Sequence, residues 1–359
     1  MMQNNQAIPF NKDNFKQIFS IPFVLLIVIS IPSAIFADFF HVPLAWFLGP
    51  MLVTSLASLM GIKIKMPRLV LSFILILLGL YIGNYIDKTL FAQMHQWILT
   101  SLIMLVYIIV SVLIVSKYLE KFSQYEKRTS IFSAAPGALG PLMILAEDEK
   151  TDLSQVATSH LIRLIIIITI FPFIVNSFYD VKGIEVAQEV IEDHNLKHLL
   201  ILIASSIILI YFFDKLKIPA ALLSGTLVAS GFLQIAEIAT YQIPPDIIDY
   251  CLLILGASVG CRFADKTFSE IGRNALHSFI ATFLLVVLGV IAALVAGLII
   301  DKNFFTLLLS YCPGGIYEVA VIAIFFDLDP EFVSFHHIIR LLMILFIVPL
   351  LLKIISKRA

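Results

Sequence analysis

Charged residues are scarce in this chain. Asp, Glu, Lys and Arg together make up 14% of its 359 residues, whereas a soluble domain has roughly 25%. Hydrophobic residues make up 60% and the mean hydropathy is +1.00. They occur in runs of about 18 to 25, the length that crosses a hydrocarbon layer of about 30 Å. This composition excludes a water-soluble globule and predicts an all-α polytopic membrane protein whose main partner is the lipid bilayer.

Basic surface, cysteine clusters and nucleotide-binding motifs are also missing. The net charge is −1 and no local basic run is present, so we predict no nucleic-acid partner. The three cysteines, Cys251, Cys261 and Cys312, lie in or beside apolar segments without the spacing of a metal site. Eight histidines are spread along the chain, and we predict neither metal nor cofactor. Because the chain has no ATP-binding loop, any transport that it performs would draw on an ion gradient.

The sequence contains two related copies. At an offset of 177 residues, the difference between positions 133 and 310, proline, glycine and charged residues coincide. Chance matches between apolar runs would not pair such residues, so we predict a tandem duplication. The pairs are Gly79 and Gly256, Gly83 and Gly260, Ser133 and Ser310, Pro136 and Pro313, Gly137 and Gly314, Asp152 and Asp329, His160 and His337, Arg163 and Arg340, and Pro172 and Pro349.

The copies divide the chain into four segments. We predict a cytoplasmic N-terminal segment at 1–17, membrane repeats at 18–178 and 198–359, and an external linker at 179–197. Each repeat contains six apolar elements. We interpret the first run, from Ile18, as a retained helix and not as a cleaved signal peptide, because it is longer than a usual signal core.

The basic loops indicate how the copies are oriented. In the first copy they follow the second and fourth elements, as at Lys63 and Lys121, and in the second copy they follow the first and third, as at Lys215 and Arg262. Because Lys and Arg accumulate in cytoplasmic loops, this change of phase predicts inverted repeats. Inversion requires an odd number of crossings per copy. We therefore predict about ten transmembrane helices plus two broken or re-entrant segments, with both termini cytoplasmic.

The fifth element of each copy, at 130–147 and 304–326, contains a helix-breaking stretch. It reads SAAPGA from Ser133 and SYCPGG from Ser310. Irregular backbone at membrane depth is tolerated only inside protein or beside a watery cavity. Proline suits the first turn of a helix, so each break predicts a half-helix whose N-terminal end points into the protein. The alternative is that the Pro-Gly pairs are kinks in continuous helices.

Discontinuous helices in inverted repeats are typical of secondary transporters, whose binding sites lie at the helix ends. The two breaks are therefore predicted to bind substrate. The residues are Ser133, Pro136, Gly137, Ser310, Pro313, Gly314 and Gly315.

Each sixth element carries a His-x-x-Arg motif, at His160 to Arg163 and at His337 to Arg340. A spacing of three places both side chains on one helix face. A charge deep in the bilayer costs about 2.5–3.5 kcal/mol, so each arginine should face the protein interior and have a partner. Two roles are open for the arginines: capping the carbonyls of the broken segments, or binding an anionic solute. His160 and His337 are candidates for proton coupling.

Glu318 breaks the symmetry of the copies. It follows Pro313 by five residues, and its counterpart is Pro141. Three roles are open: it carries a proton or cation, it pairs with Arg340 or Arg163, or it faces a watery vestibule. We include it among the substrate-binding and proton-coupling candidates.

Other repeated residues are assigned structural roles. Asp152 and Asp329 directly precede the sixth elements and are predicted N-caps. The glycine pairs spaced by four are expected to allow close helix packing. They are Gly79 and Gly83, and Gly256 and Gly260.

In the stretch PGGIYE from Pro313 to Glu318, together with the following Asp and the His-x-x-Arg, the sequence resembles the bacterial AbrB-duplication membrane protein family. The resemblance covers about residues 20–355 and rests on both copies of the motif. The first copy departs from the family pattern, with Ala138 in place of the second glycine and Pro141 in place of the glutamate. Members are labelled AbrB family transcriptional regulators or ammonia monooxygenases. We accordingly expect a multi-pass protein of the bacterial inner membrane.

Three functions are compatible with these features. The first is a secondary transporter of a small solute, for which two arginines and two positive helix ends favour an anion such as a carboxylate. The second is a membrane-embedded sensor that affects gene expression indirectly. The third, a membrane monooxygenase, would need a metal or flavin site that the residue pattern does not offer. A homo-oligomer is left open.

Overall fold

A computed structural model describes residues 12–86, 88–137, 139–149, 151–178, 196–239, 241 and 243–356. Most of the predicted N-terminal segment 1–17 and of the linker 179–197 lies outside these residues, at 1–11 and 179–195. The described part consists of α-helices and their connections, without a β-strand. This confirms the all-α prediction.

The helices follow the apolar elements. The predicted N-terminal segment contains α1 (Lys12–Ile18). In the first predicted repeat the helices are α2 (Ile21–Phe39), α3 (Ala45–Leu59), α4 (Arg68–Gly83), α5 (Lys88–Phe122), α6 (Lys127–Ala134), α7 (Leu139–Asp148) and α8 (Leu153–Phe178). In the second they are α9 (Leu196–Lys215), α10 (Ala221–Ile235), α11 (Pro245–Cys261), α12 (Phe268–Gly297), α13 (Phe304–Tyr311), α14 (Ile316–Phe325) and α15 (Pro330–Ser356).

The helix bounds correspond between the two halves. Both ends of α6 and α13, and of α7 and α14, differ by 177, as 304 differs from 127. Both ends of α3 and α10 differ by 176. Left-handed backbone is uncommon for residues other than glycine, yet it also occurs at matched positions. His41 (φ 53°) corresponds to Lys217 (φ 56°), and Leu44 (φ 53°) to Ala220 (φ 55°).

Among the described residues, six helices are long and apolar enough to cross a membrane. They are α2, α5 from Trp97, α8, α9, α12 from Asn274, and α15 up to Ile354. Large apolar side chains such as Ile21, Phe36 and Phe346 face outward. The chain is therefore a multi-pass helical membrane protein. Helices α3, α4, α10 and α11 have 15 to 17 residues, so the total of ten crossings stays a prediction.

The chain forms two compact units, and each contains helices from both halves of the sequence. The first unit comprises 1–92, 176–265 and 324–326, and the second comprises 93–175, 266–323 and 327–359. The first contains α1 to α4 and α9 to α11. The second contains most of α5, α8 and α14, together with α6, α7, α12, α13 and α15.

In the first unit α4 packs against α10 through its glycines. A Cβ at Gly79 would stand 2.6 Å from the carbonyl oxygen of Leu223, and one at Gly83 would stand 2.8 Å from that of Leu227. Both contacts advance by four residues in the same direction, so the two helices run parallel.

The packing of α3 against α11 repeats this arrangement. Gly256 lies against the carbonyl of Phe47, and Gly260 lies against the backbone of Ser55. Residue numbers again rise together along both helices, so α3 and α11 are also parallel. The close packing predicted for the four glycines is confirmed.

In the second unit the corresponding helices α5 and α12 run antiparallel. The Tyr107 hydroxyl donates to the carbonyl of Leu285 (3.4 Å), while the Tyr118 hydroxyl lies 3.1 Å from Nδ1 of His277. Residue numbers rise along α5 as they fall along α12. Helix α12 also packs on α13, and α13 on α15, which places the interrupted segments inside this unit.

Candidate functional site

Both predicted helix breaks are present in the structure. Helix α6 ends at Ala134 and α7 begins at Leu139, while α13 ends at Tyr311 and α14 begins at Ile316. Ala135 and Cys312, which precede the prolines, are extended, with ψ of 128° and 132°. Proline disfavours a helical conformation in the residue before it, which explains why each helix ends there. The interruption at Pro136 and Pro313 is confirmed, and the half-helices of 8 and 10 residues are each too short to span the hydrocarbon layer.

The two breaks meet inside the second unit. Gly137 has a φ of +99°, and a Cβ at this position would lie 2.8 Å from Nη2 of Arg340 and 3.3 Å from the carbonyl oxygen of Gly314. A left-handed residue in such close contact must be glycine. The first break therefore touches both the backbone of the second break and its arginine.

Arg163 holds the first broken helix at its C-terminal end. Its Nη1 donates to the carbonyl of Ala135 (2.6 Å), and its Nη2 donates to the carbonyl of Ser133. The last carbonyls of a helix have no intrahelical donor and carry partial negative charge. A buried guanidinium supplies the missing donors and balances this charge.

Arg340 does the same for the second break. It donates to the carbonyl of Cys312 and, through Nη2, to that of Gly314 (2.6 Å). Only 2% of Arg163 and none of Arg340 is exposed. Carbonyl capping, one of the two roles expected for these arginines, is therefore present in both copies.

In each copy the histidine binds one more carbonyl of the same broken helix, upstream of those bound by the arginine. Nε2 of His160 donates to the carbonyl of Phe132 (3.0 Å), and Nε2 of His337 donates to that of Leu309 (2.9 Å). Nδ1 of His337 lies 3.1 Å from Nη2 of Arg340. Because an arginine only donates, this nitrogen must accept, and His337 is held as the neutral Nε2–H tautomer.

The charge of the two guanidiniums is only partly balanced. In the described part of the chain neither Arg163 nor Arg340 forms an ion pair with a carboxylate, and Nε of each is buried without a hydrogen-bond partner. Carbonyl dipoles stabilise a cation less than an anion does, since they carry no net charge. Each guanidinium thus keeps one N–H group for which the described residues offer no acceptor.

Glu318 lies on the first turn of α14 and is 1% exposed. Its carboxylate is folded back onto Gly315, where any Cβ would collide with it. This is the position from which a glutamate in a capping box reaches back to the start of its helix. A side chain at residue 315 would therefore displace the Glu318 carboxylate from this position.

The remaining predicted site residues lie in the same interior. Pro136, Pro313 and Gly314 are buried. The Ser310 hydroxyl donates to the carbonyl of Thr306 (2.8 Å), whereas the buried Ser133 hydroxyl has no partner within the described residues. The structure thus brings together the predicted residues of both breaks and both motifs.

The two predicted N-caps differ. Asp152 caps α8, because its Oδ1 accepts from the backbone N–H of Gln155 (3.0 Å). At Asp329 the prediction is wrong: its carboxylate accepts from Nζ of Lys302 (2.6 Å) and from the Thr306 hydroxyl (3.2 Å). An ammonium within reach forms a stronger hydrogen bond with a carboxylate than a neutral backbone donor does.

Tyr107 is a residue that sequence reasoning missed. It is 4% exposed, and its ring packs edge-on against that of Tyr311 at 6.1 Å, directly before the second break. Nothing in the apolar run around it distinguishes this tyrosine from one that faces lipid. In the described residues no group of three His, Cys, Asp or Glu side chains comes together in a way that could hold a metal ion.

Comparison with known proteins gives one family. The model of the family described as "Transition state regulatory protein AbrB" matches residues 46–356. The chain is 23% identical over 323 residues to the "Putative regulator AbrB" of Escherichia coli (strain K12), covering 89% of this chain and 92% of that protein. It is 21% identical over 290 residues to the "Uncharacterized protein YhjN" of Bacillus subtilis (strain 168), covering 76% and 75%. No solved structure matches.

Proposed function

The chain belongs to the AbrB family, and from its site we propose that it is a secondary transporter of a small anionic solute. The observation that carries this proposal is the contact of Gly137 with Arg340 and the Gly314 carbonyl. It joins two interrupted helices from the two halves of the chain. Interrupted helices that meet in this way form the binding sites of many secondary transporters.

The helix directions support inverted repeats. Helices α5 and α12 occupy the same place in the two copies and run antiparallel. The second element of each copy also runs parallel to the third element of the other. If successive helices within a copy alternate in direction, copies with the same orientation would make that pairing antiparallel. Inverted copies make the pairing parallel, as observed. Because inversion requires an odd number of crossings per copy, the helix directions also support about ten crossings in total.

The charge of the site supports an anion as the solute. Two buried guanidiniums lie at the breaks, and α7 and α14 begin there with their positive dipole ends. In this proposal the solute contacts residues of both breaks and the two arginines. They are Ser133, Pro136, Gly137, Arg163, Ser310, Pro313, Gly314, Gly315, Glu318 and Arg340.

Coupling to a proton gradient is assigned first to Glu318. Its buried carboxylate lies at the start of α14, where gain of a proton would remove a negative charge beside the site. His160 and His337 remain candidates, but a proton on Nδ1 of His337 would break its bond with Arg340. Glu318 is therefore the better carrier.

A membrane-embedded sensor is the second candidate. The name of the E. coli relative calls it a regulator, and the arginines are fully enclosed in this structure. A sensor would bind the same anion and pass its occupancy to a partner without moving it across the bilayer.

Counterflow in reconstituted vesicles tests the proposal. Vesicles that contain the purified protein are preloaded with lactate, succinate or glutamate, and uptake of the same labelled compound is compared with protein-free vesicles and with vesicles of the Arg340→Gln variant. Transport predicts uptake of at least one compound by the wild type alone. Ligand-dependent thermal stabilisation without flux for any of the three would contradict transport and favour the sensor.

A further inference from the structure

The two breaks match in backbone but differ in charge. At the second break the third residue of α14 is Glu318, which folds its carboxylate back over Gly315. At the first break the third residue of α7 is Pro141, and the first turn of this helix contains no acidic residue. One half-helix therefore has a glutamate in its first turn, and the first turn of the other has no acidic residue.

The first break nevertheless has the groups that attract an anion. The Arg340 guanidinium is fully buried and directed at Gly137, with its Nε lacking a partner among the described residues. The Ser133 hydroxyl at the end of α6 is also buried without a described partner, whereas its counterpart Ser310 is satisfied by Thr306. Among the buried polar groups without a described partner, the Ser133 hydroxyl and Nε of Arg163 belong to the first break, and Nε of Arg340 belongs to the guanidinium that contacts both breaks.

We propose that the solute has a single carboxylate, which binds at the first break against the start of α7 and the Arg340 guanidinium. Glu318 fills the equivalent place at the second break. This inference deepens the proposed function and depends on it.

The chemistry of the ligand follows from the repeat itself. Helices α7 and α14 have matching bounds, so the group that fits against the start of α14 indicates what fits against the start of α7. That group is a carboxylate. Because the second place is already occupied by Glu318, one carboxylate per solute is the number that the site accommodates. A second one would meet the charge of Glu318 instead of an open helix end.

The inference can be tested without knowing the solute, by introducing a glutamate at position 141 whose carboxylate takes the place of the solute's carboxylate. The Pro141→Glu variant places a glutamate where α14 has Glu318, and the Pro141→Gln variant is its neutral match. In ligand-free detergent we expect Tm of Pro141→Glu to exceed that of Pro141→Gln by about 2 °C or more. An equal or lower Tm, or a glutamate variant that fails to fold where the glutamine variant folds, would overturn the proposal.

Thermal unfolding of the wild-type protein with added carboxylates gives a second test. Lactate replaces chloride at constant ionic strength, and succinate is compared at the same concentration. We expect lactate to raise Tm more than succinate does, and the effect to be lost in Pro141→Glu. No response to lactate, or a larger one to succinate, counts against a site for one carboxylate.

These measurements separate the inference from the proposed function. Flux in vesicles, combined with no increase in Tm of Pro141→Glu over Pro141→Gln, would support transport and contradict the single-carboxylate site. The expected Tm shifts without flux would leave the site standing and remove transport.

Discussion

Arg340 and Gly137 are in direct contact, although one belongs to α15 and the other to the first break. The guanidinium Nη2 lies 2.8 Å from the place where a Cβ of residue 137 would stand. This single contact connects the two halves of the sequence at their interrupted helices. It also explains why residue 137 has to be glycine, since its φ is +99° and no side chain fits.

The Gly137→Ala variant should lose both stability and transport. The added methyl group must displace the guanidinium, and the left-handed backbone costs a further 1–2 kcal/mol, roughly. Thermal unfolding in detergent measures the loss. Gly272→Ala in α12 is the matched control, because nothing lies within 4 Å of its Cβ and alanine stabilises a helix interior by about 0.5–1 kcal/mol. A Gly137→Ala protein as stable as the control would contradict the packing described.

Replacing either arginine by lysine should destabilise the second unit. A single ammonium cannot reproduce the planar fork that holds two carbonyls, and each buried carbonyl left without a donor costs about 1–3 kcal/mol. We expect a lower Tm for Arg163→Lys and for Arg340→Lys, with the larger loss of uptake for Arg340→Lys because it lies at Gly137.

The control for these variants is Arg128→Lys. Arg128 forms an exposed ion pair with Glu149 (3.1 Å), and such pairs contribute about 0–1 kcal/mol. Its Tm should stay close to that of the wild type. An equal change in Tm for the buried and the exposed variants would show that the arginine–carbonyl hydrogen bonds are not needed for stability.

The Gly315→Ala variant should behave like Glu318→Gln in transport. The new methyl group occupies the place of the Glu318 carboxylate, and a flexible side chain can move aside at a small cost in Tm. The carboxylate then leaves the start of α14. We expect the pH dependence of uptake to change in the same way in both variants, with no further change in the double variant. A wild-type pH profile in Gly315→Ala would refute the proton-coupling role.

Local features of the site were predictable from sequence. The residue preceding a proline avoids the helical conformation. The breaks at Pro136 and Pro313 could therefore be predicted from two short Pro-Gly motifs. The His-x-x-Arg spacing likewise placed each histidine and its arginine on one face, and both face the same broken helix.

Long-range features were not predictable in the same way. The glycine spacing indicated close packing but not that Gly79 would meet Leu223 in the other half of the chain. The position of Asp329 directly before its helix predicts a cap, but its partner Lys302 lies 27 residues away, beyond the reach of local rules. The contact of the Glu318 carboxylate with Gly315 depends on the side-chain rotamer of Glu318, which the sequence does not specify.

The proposed transport site requires the two copies to have opposite orientations in the membrane. His41 and Lys217 test this most directly, because they occupy equivalent left-handed positions and are both exposed. In a cysteine-free background, a membrane-impermeant maleimide should label His41→Cys in intact cells and Lys217→Cys only after permeabilisation. Labelling of both from the same side would contradict inverted repeats, and with them the transport site built where the copies meet.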